Sequence, residues 1–384
     1  MSTLRRGAVS FISVTCVQRN FAIGIRFTST SSGKHSQAES LLIENDSTEK
    51  FPAPSWKSIP FEDASKERSV EIATCGQLFE KWRRENRFWS VPKSDVHFTV
   101  KYVDTGYGTS DQSMPVVVSL HGSPGSYNDF APVTSHLYNQ GVRVIAPNFP
   151  GGNDVQPKVF RHTPEEKSQY IRDFLKALRV PRVDLLLCHS SALFPGLQLS
   201  LHNEGVAVNS LCLLNPTALE IPRLLNPVWL TYSLIRLTEF PLGYKMTCLL
   251  GEKLAKKPEL KGGSFQEHLL SAVTLLNSDI PKQNIPFQTL LNQNFPILLA
   301  YSENDKLIAK KSSHKMAKMM VDEEDIYTYD KEGKLNRPGG LNPFRKVMAF
   351  QNGSHFLLRT YPEKICHAVS DFLFQQFNNT VKGK

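Results

Sequence analysis

From residue 96 onward, short runs of apolar and β-branched residues alternate with stretches whose apolar positions recur at helical spacing. Such runs are typical of parallel strands buried on both faces, and the alternation predicts a sheet built from βαβ units. The predicted strands cover residues 97–103, 116–120, 142–146, 183–188, 210–214, 296–301 and 345–350, and predicted helices cover residues 165–178 and 362–377. The first strand alternates polar and apolar residues, which predicts an edge position. The fold class is therefore α/β, with a mostly parallel sheet flanked by helices.

The alternation is interrupted between the strands predicted at residues 210–214 and 296–301. About eighty residues of helical character with several prolines lie between them, which is too long for a plain loop. We interpret residues 217–295 as a helical cap inserted into a core formed by residues 96–216 and 296–378. Apolar residues of the cap such as Trp229, Tyr232, Leu234 and Ile235 are expected either to enclose a substrate or to form the interior of the cap.

Residues 39–95 precede the core. Residues 39–65 mix acidic residues, proline and serine without periodicity and are predicted to be a linker. Within residues 66–89, Val70, Ala73, Leu78 and Trp82 lie near helical spacing, which predicts an amphipathic helix that packs on the core.

The net charge of +9 is concentrated at the start of the chain. Residues 1–38 contain five of the Lys and Arg residues and no acidic residue, which leaves +4 for the remainder. A segment that is rich in Arg and Ser and free of acids is typical of a mitochondrial transit peptide. We therefore expect a mitochondrial protein, with a secreted or a cytoplasmic location as alternatives.

Three other functional classes find little support in the sequence. No basic stripe with interleaved aromatic residues follows the first segment, which argues against a nucleic-acid partner. No run reaches the roughly 18 apolar residues of a transmembrane segment. The six cysteines are scattered without paired spacing, so neither a disulfide framework nor a metal site is predicted.

A long apolar run ends abruptly in the sequence C-H-S-S-A at residues 188–192. A buried strand that turns at a serine directly into a helix exposes the serine hydroxyl at the edge of a parallel sheet. Because strand and helix nearly touch there, the residues two before and two after the serine must be small. Ser190, with Cys188 and Ala192 at these positions, meets this requirement and Ser191 does not. Ser190 is therefore the candidate nucleophile, and the alternative is that it only caps the helix.

A serine nucleophile needs a base to take its proton and an acid to orient that base. On such elbows the acid and the histidine follow the serine in that order. Asp305 comes just after the predicted strand at 296–301 and is the candidate acid, with Glu303 as a nearby alternative. His355 follows the last strand on a glycine-containing loop and is preferred as the base over His314 and His367, which lie in helical stretches.

The sequence H-G-S-P-G at residues 121–125 follows the strand predicted at 116–120. A loop in this place can direct backbone N–H groups at a developing oxyanion, and we expect the N–H groups of Ser123 and Ser191 to form the oxyanion hole. On the simpler interpretation the sequence is an ordinary Gly/Pro turn. The supporting residues of the loop are His121, Gly122, Pro124 and Gly125.

Together with P-N-F-P-G-G at residues 147–152, Y-S-E-N-D-K-L at 301–307 and N-G-S-H-F at 352–356, these motifs resemble the α/β-hydrolase superfamily over roughly residues 96–378. The H-G-x-P-G form and the cap resemble the branch that contains esterases, epoxide hydrolases and proline iminopeptidases. The chain is also similar to a family of uncharacterised α/β-hydrolase-like proteins in nematodes.

The resemblance implies that the nucleophile is Ser190, the acid Asp305 and the base His355. A serine at the elbow differs from the aspartate that epoxide hydrolases and haloalkane dehalogenases use. Cys188 departs from the superfamily pattern G-x-S-x-G, since it replaces the first glycine and is expected to crowd the turn.

These observations predict a serine hydrolase that cleaves a carboxylic ester or thioester, a small-molecule acyl substrate, without a cofactor. Two alternatives remain open at this point. One is a non-catalytic binding protein with the same fold, which Cys188 favours, because fold alone does not fix function. The other is an amide or peptide hydrolase, which would use the same three residues.

Overall fold

A computed structural model describes residues 60–382, except for residues 89, 110–112, 152–158, 203, 222–224, 226, 227, 239, 241, 248 and 250–264. The predicted transit peptide, residues 39–59 of the predicted linker and part of the predicted cap lie outside the described residues. Within them, no helix is long and apolar enough to cross a membrane.

The described residues form strands and helices in the following order. The strands are β1 (Glu67–Thr74), β2 (Val96–Asp104), β3 (Val116–Leu120), β4 (Arg143–Pro147), β5 (Arg182–Val183), β6 (Leu185–His189), β7 (Ala207–Val208), β8 (Leu211–Leu214), β9 (Ile297–Ser302), β10 (Tyr327–Tyr329), β11 (Leu335–Arg337) and β12 (Arg345–Phe350). The helices are α1 (Phe61–Ala64), α2 (Gly76–Arg84), α3 (Ala131–Asn139), α4 (Pro164–Ala177), α5 (Leu193–Leu201), α6 (Val228–Thr238), α7 (Phe265–Asn277), α8 (Asn284–Asn292), α9 (Lys310–Met320), α10 (Leu357–Thr360) and α11 (Pro362–Lys382).

Ten strands form one sheet in the order β1-β2-β4-β3-β6-β8-β9-β12-β10-β11. In this spatial order, the neighbouring strands from β4 to β10 all pair in parallel, and β1, β2 and β11 add antiparallel pairings at the two ends. Because the central strands run parallel, β3, β6, β8, β9 and β12 present their carboxyl ends at the same edge. The predicted α/β fold with a mostly parallel sheet is confirmed, and side chains that follow these strands are brought together there.

Both faces of the sheet are covered by helices, which explains the continuous apolar runs. Successive residues of β6 enter different clusters: Leu186 packs with α4, α5 and α8, while Leu185 and Leu187 pack with α3 and α11 on the opposite face. Period-two alternation sends neighbouring side chains to opposite faces, so a strand covered on both sides needs apolar residues at every position.

The helix predicted over residues 66–89 is wrong in its first half. Residues 67–74 form β1, which pairs with β2 along its whole length, and the helix α2 begins only at Gly76. Cys75 between them has a left-handed φ of 70°, which no continuous helix permits. The strand predicted at 97–103 is therefore not an edge strand, because β1 covers it.

The segment predicted as a cap divides into two parts. Its last helix, α8, buries Phe287 and Leu290 in the same cluster as the sheet and α5, so residues 284–292 belong to the core. Trp229 and Tyr232 of α6 are 70% and 42% exposed, whereas Ile235 of the same helix is buried, so the two aromatic residues do not form the interior of the cap. The side chain of Leu234 lies outside the described residues. Helix α7 approaches the loop after β3, where Thr274 Oγ1 lies 3.5 Å from Ser123 Oγ.

Candidate active site

The turn after β6 holds Ser190 in a conformation that few residues adopt. Ser190 has a φ of 54°, in the left-handed region that is uncommon outside glycine, and residues 190–192 form a short 3₁₀ turn that leads into α5. Such a sharp strand-to-helix turn projects the side chain out of the sheet edge. The carbonyl oxygen of Ser190 accepts the N–H of Thr217 at 3.1 Å, which fixes the turn to the segment after β8.

The departure from the superfamily pattern at Cys188 is matched by a glycine in α5. A Cβ atom on Gly196 would lie 2.6 Å from the Sγ atom of Cys188, closer than real Cβ contacts permit. The absent side chain of Gly196 therefore makes the room that the thiol of Cys188 occupies. Cys188 is fully buried, and burial raises the pKa of its thiol, so the residue fills space and does not ionise at neutral pH.

The structure brings Ser190, His355 and Asp305 into one hydrogen-bonded row. The Nε2 atom of His355 lies 2.8 Å from Ser190 Oγ, and its Nδ1 atom lies 2.7 Å from Asp305 Oδ2. An ionised carboxylate only accepts, so Nδ1–H donates to Asp305 and Nε2 is left to accept the serine proton. This is the protonation arrangement that a general base requires.

Asp305 is held from both of its oxygens. Oδ1 accepts the backbone N–H groups of Leu307 at 2.7 Å and Ile308 at 3.1 Å, while Oδ2 faces His355. Burial raises the pKa of Asp305, but the hydrogen bond and electrostatic interaction with His355 and the two N–H groups together outweigh it, so the pKa lies below its ordinary value. The carboxylate therefore stays ionised at neutral pH. Glu303, the alternative acid, instead pairs with Lys310 at 2.7 Å.

Two polar residues that the sequence analysis did not assign hold the His355 loop in place. Asn215 donates through Nδ2 to the carbonyl oxygens of Ser354 at 2.9 Å and His355 at 2.8 Å, and its Oδ1 accepts the N–H of Ser302 at 2.7 Å. His189 approaches the carbonyl oxygen of His355 with Nε2 at 3.0 Å, where only a donating N–H fits. Burial and the neighbouring His355 lower the pKa of His189 to about 3, so it stays neutral.

Asn215 carries the same sequence signal that identifies Asp305. It is the first residue after a buried parallel strand, β8, and the side chains at such positions share one edge of the sheet. Its amide joins the ends of β8 and β9 to the loop that follows β12. The signal was available in the sequence, whereas the partners of the amide depend on the tertiary structure.

The loop at residues 121–125 lies directly against the nucleophile. A Cβ atom on Gly122 would lie 2.8 Å from the Cβ atom of Ser190, so only glycine fits at that position. His121 is buried and approaches Gly122 O at 2.7 Å through Nδ1, while its Nε2 accepts the N–H of Phe149 at 2.9 Å. Since an N–H can only donate, Nδ1 carries the proton of His121, and the ring ties the loop after β3 to the loop after β4.

The predicted oxyanion donors flank Ser190. Ser123 follows Gly122, and Ser191 is the second residue of the 3₁₀ turn, whose first N–H groups have no partner inside the turn. Both N–H groups therefore belong to segments that border the hydroxyl of Ser190. Gly125 packs where a Cβ atom would lie 2.9 Å from Asp129 Oδ2, and Pro124 follows a cis peptide bond. In the part of the chain that the structure describes, no group of three His, Cys, Asp or Glu side chains is placed to hold a metal ion.

Comparison with known proteins places the chain in a family. A model of the family "Alpha/beta hydrolase of unknown function (DUF1057)" matches residues 82–374. An uncharacterised protein of Caenorhabditis elegans is 23% identical over an alignment of 289 residues, and the match covers 70% of this chain and 80% of that protein. The predicted resemblance to α/β-hydrolases and to an uncharacterised nematode family is thereby confirmed.

Solved structures with a similar fold include two esterases and a haloalkane dehalogenase. The esterase from Exiguobacterium antarcticum is 16% identical with a TM-score of 0.47, covering 72% of this chain and 95% of its own. A thermophilic esterase from Thermogutta terrifontis is 14% identical with a TM-score of 0.49, covering 81% and 99%. A haloalkane dehalogenase from Bradyrhizobium elkani is 14% identical with a TM-score of 0.49, covering 72% and 94%. With a family model that spans most of its length, the chain belongs to this alpha/beta hydrolase family of unknown function.

Proposed function

We propose that this protein is a serine hydrolase that cleaves a carboxylic ester or thioester through Ser190, His355 and Asp305. The observation that carries the proposal is the position of His355, with Nε2 2.8 Å from Ser190 Oγ and Nδ1 2.7 Å from Asp305 Oδ2. Heavy-atom distances of this size place the base within reach of the proton that it must remove.

The mechanism follows from these positions. His355 accepts the proton of Ser190, whose Oγ forms a bond to the substrate carbonyl carbon while the N–H groups of Ser123 and Ser191 stabilise the oxyanion. The tetrahedral intermediate collapses, the alcohol or thiol leaves with the proton from His355, and an acyl-enzyme remains. Water, deprotonated by the same imidazole, then releases the carboxylic acid and restores Ser190.

The feature that favoured a non-catalytic binding protein is weakened by Gly196. Cys188 was expected to crowd the elbow, but the missing side chain of Gly196 accommodates its Sγ atom, and Ser190 keeps its hydrogen bond to His355. The catalytic proposal is therefore preferred.

Labelling with a fluorophosphonate probe tests the proposal, because such probes react with an activated serine. The wild-type protein is expected to be labelled, and Ser190→Ala and His355→Ala are expected to abolish labelling. Ser191→Ala, which removes the adjacent hydroxyl and keeps the backbone N–H, serves as the matched control and should still be labelled. If the wild-type protein is labelled, a panel of esters, thioesters and amides then defines the substrate. Absence of labelling in a folded wild-type protein would refute the catalytic proposal in favour of the binding protein.

We further propose that the protein acts in mitochondria. The support is the composition of residues 1–38, with five basic residues and no acidic residue. Residues 1–38 fused to a fluorescent protein should direct it to mitochondria, and a matched fusion in which Arg5, Arg6, Arg19 and Arg26 are replaced by Ala should not enter. Secretion or a diffuse cytoplasmic signal from the unaltered fusion would contradict the proposal.

A further inference from the structure

A polar cavity of about 290 Å³ lies beside the candidate oxyanion hole. The loop that packs against Ser190 forms one wall, helix α7 forms another, and the start of α4 forms the base. Its lining includes Ser123, Phe149, His162, Lys167, Glu267 and Leu270. We refer to it as the Lys167 cavity.

Lys167 brings an ammonium group to this cavity while being only 3% exposed. Its Nζ atom lies 3.4 Å from Thr274 Oγ1 and 4.8 Å from the centre of the Phe149 ring. Over the ranges that the structure describes, no carboxylate forms an ion pair with it. Burying a charge without a partner is costly, so an anion bound in the cavity would offset part of the cost of burying the ammonium group.

His162 supplies a second polar atom without a partner. The ring is 3% exposed and lines the cavity, and its Nδ1 atom makes no hydrogen bond. Burial lowers the pKa of His162 well below its ordinary value, so the ring is neutral. One of its two nitrogens therefore carries a proton and can donate, and the other can only accept. A buried polar atom without a partner has its hydrogen-bonding capacity unfilled. With the proton on Nδ1, His162 would donate to a carboxylate oxygen of a ligand.

The cavity is connected to the reacting serine by a short row of contacts. Thr274 Oγ1, which meets Lys167, also lies 3.5 Å from Ser123 Oγ. The neighbouring Gly122 packs against the Cβ atom of Ser190. The cavity and Ser190 therefore border the same loop, residues 121–125, and one short molecule would reach both.

Glu267 is the acidic residue of the lining, and it lies on exposed α7 surface rather than at the buried base. The positive charge is thus at the base of the cavity. The volume is at the lower end of the roughly 300–1,000 Å³ usual for ligand pockets, which suits a short chain.

We propose that the Lys167 cavity binds a carboxylate carried by the substrate, so that the preferred substrate is a short anionic ester or thioester. The inference rests on the proposed function for the reaction at Ser190, and it adds the substrate class. Lys167 is the residue that selects for the negative charge, with His162 as a second hydrogen-bonding partner.

Three esters test this specificity. Mono-p-nitrophenyl glutarate carries a carboxylate on the acyl side, 4-butyryloxybenzoate carries one on the leaving group, and p-nitrophenyl butyrate is neutral. Lys167→Met should lower kcat/KM for one of the anionic esters about tenfold to a hundredfold more than for the neutral ester. The ester with the larger loss shows which side of the substrate enters the cavity. Lys176→Met, the same substitution on an exposed residue of α4, is the matched control. An equal loss for all three esters, or no loss for any, would overturn the inference.

A binding measurement separates this inference from the catalytic proposal. Titration calorimetry with the Ser190→Ala protein should show binding of glutarate and none of butyrate, and adding Lys167→Met should abolish it. If glutarate does not bind while the probe labels Ser190, the inference fails and the hydrolase proposal stands. If glutarate binds and the probe does not label Ser190, the hydrolase proposal fails and carboxylate binding at the Lys167 cavity stands. Lys167→Gln repeats the comparison if the methionine variant does not fold, as judged by circular dichroism.

Discussion

Cys188 and Gly196 face each other where β6 turns into α5, and their sizes are complementary. The superfamily pattern places a glycine two residues before the nucleophile, whereas this chain places the glycine in the helix opposite a cysteine. Strand and helix can therefore approach closely, because the residue without a side chain is Gly196 of the helix and not residue 188 of the strand. A pattern based on residues 188–192 alone therefore cannot decide whether the elbow is crowded.

This complementarity predicts a strong coupling between the two positions. Gly196→Ala alone should destabilise the protein by about 1–3 kcal/mol, because its Cβ atom would overlap the Sγ atom of Cys188. In a Cys188→Ala background the nearest atom of residue 188 would be its Cβ, 3.7 Å away, and Gly196→Ala should then stabilise α5 by up to about 1 kcal/mol. Chemical denaturation of the four proteins measures the cycle, and additive effects would contradict it.

The charge state of Lys167 predicts how anion binding depends on pH. Burial lowers the pKa of Lys167 to about 7, although the nearby Glu166 opposes this. Burial raises the pKa of Glu166 to about 7. Above pH 7 Lys167 therefore loses its positive charge while Glu166 gains a negative one, and both changes disfavour an anion. His162 and His121, whose pKa values are lowered by burial, stay neutral through this range, and Glu267 lies at the rim.

Glutarate affinity for the Ser190→Ala protein should therefore fall as the pH rises from 6 to 8.5. In the Lys167→Arg variant the guanidinium stays protonated, so only the Glu166 part of the pH dependence should remain. Calorimetric titrations at a series of pH values provide the measurement. Identical profiles for the two proteins would exclude Lys167 as the titrating group.

At the level of elements, the candidate site depends on loops that follow different strands and are tied together by Asn215. The amide joins the carboxyl ends of β8 and β9 to the His355 loop. A second link, from Asn304 Nδ2 to Asn352 Oδ1 at 3.1 Å, joins the loop after β9 to the loop after β12 at the surface. The buried link is expected to matter more, because its loss leaves backbone groups without partners and without water.

Asn215→Ala should therefore slow fluorophosphonate labelling of Ser190 at least tenfold and lower the free energy of unfolding by about 1–3 kcal/mol. The pH profile of labelling should also change, since the imidazole of His355 is no longer held toward Asp305, and a purely structural defect would leave that profile in place. Asn304→Ala is the matched control and should have little effect on either quantity. Equal effects of the two substitutions would remove the positioning role from Asn215.

The sequence was sufficient to predict the elements whose side chains are buried on both faces. β3, β6, β8, β9 and β12 were predicted within one or two residues, because a continuous apolar run has few alternatives. β1 was missed because Val70, Ile72 and Thr74 alternate at period two while Leu78 and Trp82 follow at helical spacing. A single helix was predicted for both stretches. The chain breaks between them at Cys75, whose left-handed backbone conformation the composition does not reveal. The short strands β10 and β11 bury no residue fully and left no pattern to find.

For the candidate site, the sequence supplied the order of the residues and the structure supplied their distances. Ser190, Asp305 and His355 each follow a predicted strand, so a parallel sheet brings them to one edge. The cavity at Lys167 was not predicted, because it is formed by residues from four separate segments and its lysine lies in an amphipathic helix. An unpaired charge at such a position is detected only when its neighbours are known.

At the scale of the whole molecule, β1 extends the sheet by one antiparallel strand beyond β2. It pairs with β2 over eight residues and packs on α4, where Thr74 Oγ1 donates to Asp173 Oδ2 at 2.7 Å. A chain that starts at residue 60 keeps this strand and serves as the reference. A chain that starts at residue 76 exposes the edge of β2 together with apolar surface of α4, and an unpaired strand edge promotes aggregation. It should melt several degrees lower and elute as aggregates in size-exclusion chromatography. Thr74→Val, which keeps the strand and removes the hydroxyl that contacts Asp173, should lie between the two. Equal melting temperatures for both truncated chains would show that β1 does not stabilise the fold.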